Sequence, residues 1–89
     1  MNVEYRKSFL KDLKKLKGQP IYDQVFEFAF MRLSAANKLR DIPNVKSMKG
    51  YPDHYRIRIG SYRVGIELHD DKVEVMRVLH RREFYRYFP

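Results

Sequence analysis

The stretch Tyr55-Arg-Ile-Arg-Ile-Gly-Ser-Tyr-Arg63 decides how the rest of this chain is arranged. Apolar and basic residues alternate along it, and successive side chains of a β-strand point to opposite faces of a sheet. Gly60-Ser61 stands where a two-residue turn would, and the alternation then resumes from Tyr62 to His69. The pattern predicts a β-hairpin with one apolar face, and an opposite face that carries Arg56, Arg58 and Arg63.

The arginine face of this predicted hairpin is the candidate binding surface. Guanidinium groups concentrated on one face of a sheet repel one another, so they favour an anion between them. Arginine also forms forked, directional hydrogen bonds with phosphate. We therefore expect this face to bind phosphate; the alternative for Arg56 and Arg58 is a solvated strand face.

The composition indicates one small basic domain. The chain has 89 residues, 44% of them apolar, and a formal net charge of +8. Such a charge predicts a polyanionic partner: nucleic acid, the ribosome, a membrane surface or an acidic protein. The sequence has no cysteine, no apolar run near the ~20 residues of a membrane span, and no signal-peptide pattern in its first ten residues. We expect a cytoplasmic protein with no disulfides and no membrane partner.

The two halves of the chain differ in the kind of basic residue that they carry. Residues 1–48 contain seven Lys and three Arg, whereas residues 49–89 contain two Lys and seven Arg. Because lysine is a hydrated point charge and arginine a rigid fork of donors, the first half resembles solvated surface. The second half is the better candidate for a site.

The N-terminal half predicts two helices. Asn2–Tyr5 is a possible short strand, and Ser8 is a candidate cap for a helix that ends before Gly18. A second helix starts near Ile21, and a short connection predicts that the two pack as an αα-hairpin. The apolar stripe expected on the second helix consists of Val25, Phe26, Ala29, Phe30, Leu33 and Ala36.

The remainder predicts a sheet. Residues 37–53 contain Pro43, Gly50 and Pro52 and are expected to form a loop. Strands follow at 54–59, 62–69 and 72–79; the last is apolar on both faces and is expected to lie centrally, with Arg77 paired to Glu67 or Glu74. The order β-α-α-β-β-β predicts an α+β domain in which two helices pack on one face of a small antiparallel sheet.

Candidate chemistry lies in His80-Arg81-Arg82 and Tyr85, which follow the last strand. In an antiparallel meander they would meet the hairpin arginines in one basic hollow. Such a site suits RNA cleavage by the neighbouring 2′-hydroxyl, with arginines stabilising the phosphorane and His or Tyr moving protons. The alternatives are that His80 is structural and that the C-terminal aromatic residues are a hydrophobic tail docked on the sheet.

Metal chemistry is not expected from the spacing. His54, His69 and His80 lie far apart in the sequence, and no carboxylate pair accompanies them. There is also no glycine-rich phosphate loop. We therefore expect neither a metal nor another cofactor.

Two motifs together resemble the RelE/ParE superfamily of type II toxins. They are the hairpin stretch Tyr55–Arg63 and Val75-Met-Arg-Val-Leu-His-Arg-Arg-Glu-Phe-Tyr-Arg86, and the resemblance covers nearly the whole chain. The Lys-rich first helix and the connection from Asn37 to Gly50 are similar too. RelE-like members are ribosome-dependent mRNA endonucleases that need no metal, and a cognate antitoxin inactivates them.

The resemblance implies three partners and a set of site residues. The partners are a cognate antitoxin, the 70S ribosome and mRNA. By resemblance, Arg63 and Arg81 would stabilise the phosphorane and Tyr85 would orient or stack on the substrate base. The family's residues also match Arg56 and Arg58. With His80 added from the sequence pattern, the expected catalytic residues are Arg56, Arg58, Arg63, His80, Arg81 and Tyr85, and the expected substrate-binding residues are Lys49, His54, Arg82 and Arg86.

One departure from the family pattern concerns the general base. RelE-like relatives can carry lysine where this chain has Arg56 and Arg58, and a guanidinium does not release its proton near neutral pH. The base is therefore open between His80, Tyr85 and His54. Two other functions also stay open: a ParE-like inhibitor of DNA gyrase without nuclease activity, and a non-catalytic RNA-binding protein. The His80-Arg81-Arg82 motif with Tyr85 favours the nuclease.

Overall fold

The structure, a computed structural model that describes residues 1–89, is built around a five-stranded sheet. The sheet order is β1-β5-β4-β3-β2, with β1 parallel to β5 and every other pair antiparallel. The strands are β1 (Asn2–Tyr5), β2 (Val45–Met48), β3 (Tyr51–Ile59), β4 (Tyr62–His69) and β5 (Lys72–His80). The α+β class is confirmed, and β5 has neighbours on both sides as predicted.

The central hairpin has the predicted turn and faces. Ile59 lies opposite Tyr62, so the turn contains two residues, and Gly60 begins it with a φ of 56° that suits glycine. Ile57, Val64 and Ile66 are buried on one face. The opposite face carries Arg56, Arg58 and Arg63, which confirms the alternation.

Two parts of the predicted sheet are wrong. The sheet is mixed rather than antiparallel, because β1 pairs with β5 in parallel register, Asn2 opposite Lys72, and such a distant partner leaves no local signal. The predicted loop of residues 37–53 contains a 3₁₀ turn (Leu39–Asp41) and the edge strand β2. That strand shows no alternation, since both its central residues are exposed; pairing with β3 defines it.

The two predicted helices cover the apolar face of the sheet. They are α1 (Lys7–Lys15) and α2 (Ile21–Glu27), and α2 continues through a π-helical segment (Phe28–Arg32) into the last turn α3 (Leu33–Ala35). Buried helix residues pack on the buried strand residues in one core. This core comprises Phe9, Leu13, Leu16, Val25, Phe28, Ala29, Leu33, Ile42, Ile57, Val64, Ile66, Val73, Val75 and Val78.

The second helix buries a different aromatic side chain from the one predicted. Phe26, part of the predicted stripe, is 43% exposed, whereas Phe28 is 3% exposed. Phe28 and Ala29 follow the buried Val25 by three and four residues and so share its face of the helix, which Phe26 does not. None of the helices is long and apolar enough to cross a membrane.

Side chains of α1 complete the edge of β5 beyond the end of β1. The Ser8 hydroxyl donates to the Met76 carbonyl at 2.7 Å, and the Val78 N–H donates to the Asp12 carboxylate at 3.1 Å. Ser8 is therefore not the helix cap that was predicted; Arg6 occupies that position. These bonds satisfy strand groups that have no neighbouring strand, and they fix α1 to the second half of β5.

The C-terminal helix α4 (Arg81–Tyr87) packs on the other face of the sheet. Phe84 and Phe88 are buried, with ring centroids 5.1 Å apart, and a side chain at Gly65 would meet the Phe88 ring at 2.8 Å. The absence of a side chain at Gly65 thus makes room for Phe88. The predicted alternative of an aromatic tail docked on the sheet therefore holds for Phe88 but not for Tyr85 and Tyr87, which are 57% and 53% exposed.

Candidate functional site

Arg58 and Arg63 lie directly opposite each other across β3 and β4. The acidic side chains that form ion pairs in this structure are bound to Arg6, Arg77, Lys72, His54 and His69, and none of them pairs with Arg58 or Arg63. Like charges that face each other across a sheet are destabilising. This end of the sheet therefore offers two unneutralised guanidinium groups to an anion.

The guanidinium of Arg63 is held in place by the hairpin turn. One terminal nitrogen donates to the carbonyls of Gly60 at 3.1 Å and Tyr62 at 3.0 Å, and the Nε atom is buried without a hydrogen-bond partner. Two bonds to backbone oxygens restrict the rotamers of a long side chain. Arg63 is thus a pre-positioned charge, whereas the Arg58 side chain is exposed.

Helix α4 brings Arg81 to the same end of the sheet. The Arg81 N–H donates to the Ser61 carbonyl at 2.8 Å, so the first residue of α4 is bound to the turn of the hairpin. Tyr85 follows Arg81 by four residues and therefore lies on the same side of the helix. Its side chain is 57% exposed, and its ring packs edge-on against Phe84. The structure thus groups Arg58, Arg63, Arg81 and Tyr85.

Beside this group, Arg56 and Arg58 line a shallow depression with Asn44, Val45 and Lys46. Lys46 on β2 lies directly opposite Arg56 on β3. Three cations therefore extend the basic surface toward the edge of the sheet. We refer to Lys46, Arg56, Arg58, Arg63 and Arg81 together as the basic surface.

His80 does not face the basic surface, because a β-bulge reverses the last residues of β5. Ile66 lies opposite Val75, but the next residue of β4, Gly65, lies opposite Arg77. The extra residue, Met76, moves every later side chain of β5 to the other face of the sheet. His80 therefore lies opposite Tyr62, with ring centroids 5.3 Å apart, on the side that α1 covers.

The position of His80 gives it a structural contact. Its Nδ1 atom accepts the Arg82 N–H at 3.2 Å and caps α4. His80 was expected to lie beside the arginines of the hairpin. That expectation is wrong, because the bulge at Met76 turns the His80 side chain to the opposite face of the sheet. The ring lines a pocket with Asp12, Gln19 and Tyr62 instead.

The predicted substrate-binding residues are spread over the molecule. Lys49 lies in the β2–β3 turn, and eight residues of extended strand, roughly 26 Å, separate Gly50 from Arg58. His54 lies on the same face as Arg58 but is bound to Glu67, 3.1 Å away. Arg82 and Arg86 are exposed, four residues apart on α4, and form no ion pair. The structure therefore does not bring Lys49 to the arginines, and it places His54 two residues from Arg56 with its ring bound to Glu67.

A second polar cluster lies at the far end of the same face. Atoms of Glu67, His69 and Glu74 capable of binding a metal lie within 4.8 Å of one another, although the spacing of these residues suggested no such group. The sequence could not show this because Glu67 and Glu74 become neighbours only through the β4–β5 register. The hydrogen bond from Arg6, and then that of His69, holds the pKa of Glu74 below its ordinary value.

The predicted partner of Arg77 is also wrong. Arg77 donates to Asp12 of α1 at 2.7 and 3.1 Å, not to Glu67 or Glu74, because β1 ends before it and leaves the strand edge open. This hydrogen bond raises the pKa of Arg77. Both charges are thereby neutralised within the scaffold and are not part of the basic surface.

Comparison with known proteins shows relatives that match nearly the whole chain. The family model for the "ParE toxin of type II toxin-antitoxin system, parDE" matches residues 3–85. Toxin RelE3 of Methanocaldococcus jannaschii is 40% identical over 90 residues, with all of both chains covered. The chain also resembles the RelB-RelE antitoxin-toxin complex from Methanococcus jannaschii, with a TM-score of 0.76, 38% identity, and 97% of this chain and 99% of that chain covered. The RelBE2 toxin-antitoxin complex from Mycobacterium tuberculosis gives a TM-score of 0.69 and 29% identity, with 90% and 96% covered.

Proposed function

The chain belongs to the RelE/ParE superfamily of type II toxins, and we propose that it is a ribosome-dependent mRNA endonuclease. The observation that carries this proposal is the opposed pair Arg58 and Arg63, which no carboxylate neutralises. Arg81 is fixed to the turn beside them. A phosphodiester bound between these guanidiniums would relieve their repulsion and accept forked hydrogen bonds.

In the proposed reaction the RNA supplies its own nucleophile. The 2′-hydroxyl next to the scissile phosphate loses its proton and attacks phosphorus, and the bond to the 5′-oxygen breaks as that oxygen gains a proton. The products are a 2′,3′-cyclic phosphate and a 5′-hydroxyl end. Arg63 and Arg81 would stabilise the phosphorane, and Arg56 and Arg58 would hold the strand by charge. The arginines thus supply the positive charge, and no metal takes part.

Of the three candidate proton carriers, Tyr85 is the one whose side chain forms no polar contact within the chain and lies on the Arg81 side of α4. The His80 Nδ1 caps α4, and the His54 Nε2 is bound to Glu67. The Tyr85 hydroxyl has no partner within the chain, and its ring is exposed on the Arg81 side of α4. We assign proton transfer or base orientation to Tyr85 and leave Arg56 and Arg58 as electrostatic residues.

The shape of the basic surface supports the dependence on the ribosome. The arginines lie on a sheet face with only a shallow depression, so the domain offers little to grip and orient single-stranded RNA. A substrate already held in the ribosomal A site would arrive in a fixed conformation, and orientation of this kind contributes a large part of catalysis. The net charge of +8 suits association with ribosomal RNA.

We also propose a cognate antitoxin as the natural partner, in the cytoplasm where ribosomes are found. Both solved relatives described above are toxin–antitoxin complexes. The helix side of this chain exposes apolar residues, including Leu10, Phe26 and Met31, together with the exposed lysines of α1. An amphipathic, acidic segment would complement both features.

A reconstituted translation reaction tests the nuclease. Purified protein is added to ribosomes stalled on a defined mRNA, and cut sites are mapped by primer extension. We expect cuts within the A-site codon, none on free mRNA, and no cut when the 2′-hydroxyl at the scissile position is replaced by hydrogen. Cleavage of the 2′-deoxy message would overturn the mechanism.

The matched variants are Arg63→Ala and Arg81→Ala, each expected to slow cleavage by about 10²–10³. Arg40→Ala is the control, because Arg40 is exposed beside Tyr55 and Leu68 on the helix side. Retained cleavage by both folded site variants would contradict the assignment.

The second candidate function is inhibition of DNA gyrase. It is favoured by one observation, namely that the matching family model is that of the ParE toxin. A supercoiling assay separates the two functions. Intact message together with inhibited supercoiling would replace the nuclease by the gyrase inhibitor.

A further inference from the structure

Glu67 on β4 and Glu74 on β5 lie directly opposite each other on the sheet face that α1 and α2 leave open. Their side chains are 19% and 20% exposed, so solvent screens them only in part. Two carboxylates in this relation repel each other and favour a shared cation. His69, two residues beyond Glu67 on the same face, places its Nε2 atom against both carboxylates, 3.3 Å from Glu74.

The three ligand atoms lie within 4.8 Å of one another, close enough to bind one metal ion. Zinc bonds of about 2.0–2.1 Å in a tetrahedral arrangement put neighbouring ligand atoms about 3.3 Å apart. The His69–Glu74 distance has this value, whereas the direct His69–Glu67 contact of 2.5 Å would have to lengthen around the ion by about 0.8 Å. We propose that Glu67, His69 and Glu74 form a binding site for a divalent transition-metal ion such as Zn²⁺, with its fourth position open to water.

Outer contacts orient both carboxylates, as they do in metal sites. The Nε2 of His54 lies 3.1 Å from Glu67, on the oxygen that His69 does not contact. His54 is itself fixed between the rings of Tyr51 and Phe88, at 5.8 and 5.5 Å. The Arg6 side chain donates to both oxygens of Glu74, at 2.9 and 3.3 Å, and holds that carboxylate in place.

The residue types select the class of metal. An imidazole nitrogen with two carboxylate oxygens suits zinc, nickel or copper, whereas calcium and magnesium prefer oxygen ligands alone. The ligands project from the adjacent strands β4 and β5, which have neighbours on both sides, so the scaffold is rigid. The basic surface lies at the other end of this face, and the metal site does not depend on the proposed nuclease activity.

The test is metal titration of untagged, metal-free protein by calorimetry near neutral pH, with Zn²⁺ and, for comparison, Mg²⁺. We expect one Zn²⁺ ion per chain and no comparable binding of Mg²⁺. His69→Ala and Glu67→Gln should each weaken Zn²⁺ binding by about tenfold or more. His80→Asn is the matched control, because it removes a histidine outside the cluster and keeps a residue that caps helices well.

Histidine NMR signals of the wild-type protein give a second measurement that needs no variant. Ligation should shift the ring signals of His69 strongly and leave those of His80 in place. No binding of Zn²⁺, equal affinity of His69→Ala and wild type, or perturbation of His80 in place of His69 would each overturn the proposal.

Discussion

The Asp12 carboxylate on α1 accepts the backbone N–H of Val78 on β5 at 3.1 Å. The same carboxylate binds the Arg77 guanidinium at 2.7 and 3.1 Å and is 6% exposed. One buried side chain therefore closes the strand edge that β1 leaves open and neutralises a neighbouring charge. It also fixes the segment that leads directly into Arg81 and α4.

Asp12→Ala should destabilise the fold by about 3 kcal/mol, because it leaves a partly buried guanidinium and a buried N–H without partners. Urea denaturation of the purified variant measures the free energy of unfolding. Asp53→Ala is the control, since Asp53 is exposed and has no ion pair, and it should change stability by less than about 0.5 kcal/mol. Equal stability of the two variants would show that the Asp12 contacts do not stabilise the sheet edge.

Gly65→Ala should loosen α4 from the sheet. The added methyl group would meet the Phe88 ring at 2.8 Å, closer than side-chain carbons approach one another, so we expect a loss of about 1–3 kcal/mol. The clash requires the ring, which makes a double-mutant cycle informative. Phe88→Ala alone should cost about 3 kcal/mol, and Gly65→Ala should add little to it. Additive losses measured by urea denaturation would mean that Gly65 and Phe88 do not pack against each other.

Arg58→Glu should change stability and cleavage in opposite directions. It replaces the like-charged pair with Arg63 by an opposite-charged pair, which contributes up to about 1 kcal/mol of stability in a sheet. The same change places a carboxylate where the RNA phosphate is proposed to bind, so cleavage on the ribosome should fall. Arg40→Glu makes the same change in net charge away from the basic surface. If Arg40→Glu also gained stability and lost cleavage, the net charge and not the site would explain both effects.

The lowered pKa of Glu74 predicts that the stability of the fold depends on pH. Its pKa is lowered from an ordinary value of 4.5, chiefly by the Arg6 hydrogen bond, so the folded state favours the ionised form. This contribution is present above pH 4.5 and is lost as the pH falls through the lowered pKa of the folded state. Glu74→Gln should therefore be less stable than wild type near neutral pH, by up to about 1 kcal/mol, and the difference should vanish in acid. Thermal unfolding across this range measures it; Glu27→Gln, an exposed residue without an ion pair, should show no such trend.

The hairpin of β3 and β4 was predictable because its signals are local. The alternation of Ile57 and Ile59 with arginines and the glycine at position 60 need no information from elsewhere in the chain. The parallel pairing of Asn2 with Lys72 and the contact of Asp12 with Val78 depend on residues far apart in sequence, and no period marks them.

For the candidate site, the grouping of Arg58 with Arg63 follows directly from a two-residue turn. The face of His80 does not, because a single extra residue, Met76, reverses every side chain after it. One signal lies in residues 73–79, because Arg77 has the same parity as the apolar Val73 and Val75 and so breaks the alternation after Val75. The sequence therefore indicated which residue types form the site but placed one of them on the wrong side of the sheet.

Because the bulge at Met76 turns His80 away from the arginines, Tyr85 and His80 can be compared directly as the residue that transfers the proton. Tyr85→Phe keeps the exposed ring and removes only the hydroxyl, which makes no hydrogen bond within the chain, so folding should be unchanged. If the hydroxyl transfers a proton, cleavage on the ribosome should fall by about 10²–10⁴. His80→Asn, which retains a helix cap, should reduce cleavage only slightly because His80 faces α1. Single-turnover rates across a pH series measure both variants. The reverse result, with Tyr85→Phe active and His80→Asn inactive, would transfer the proton role to the imidazole and require β5 to rearrange on the ribosome.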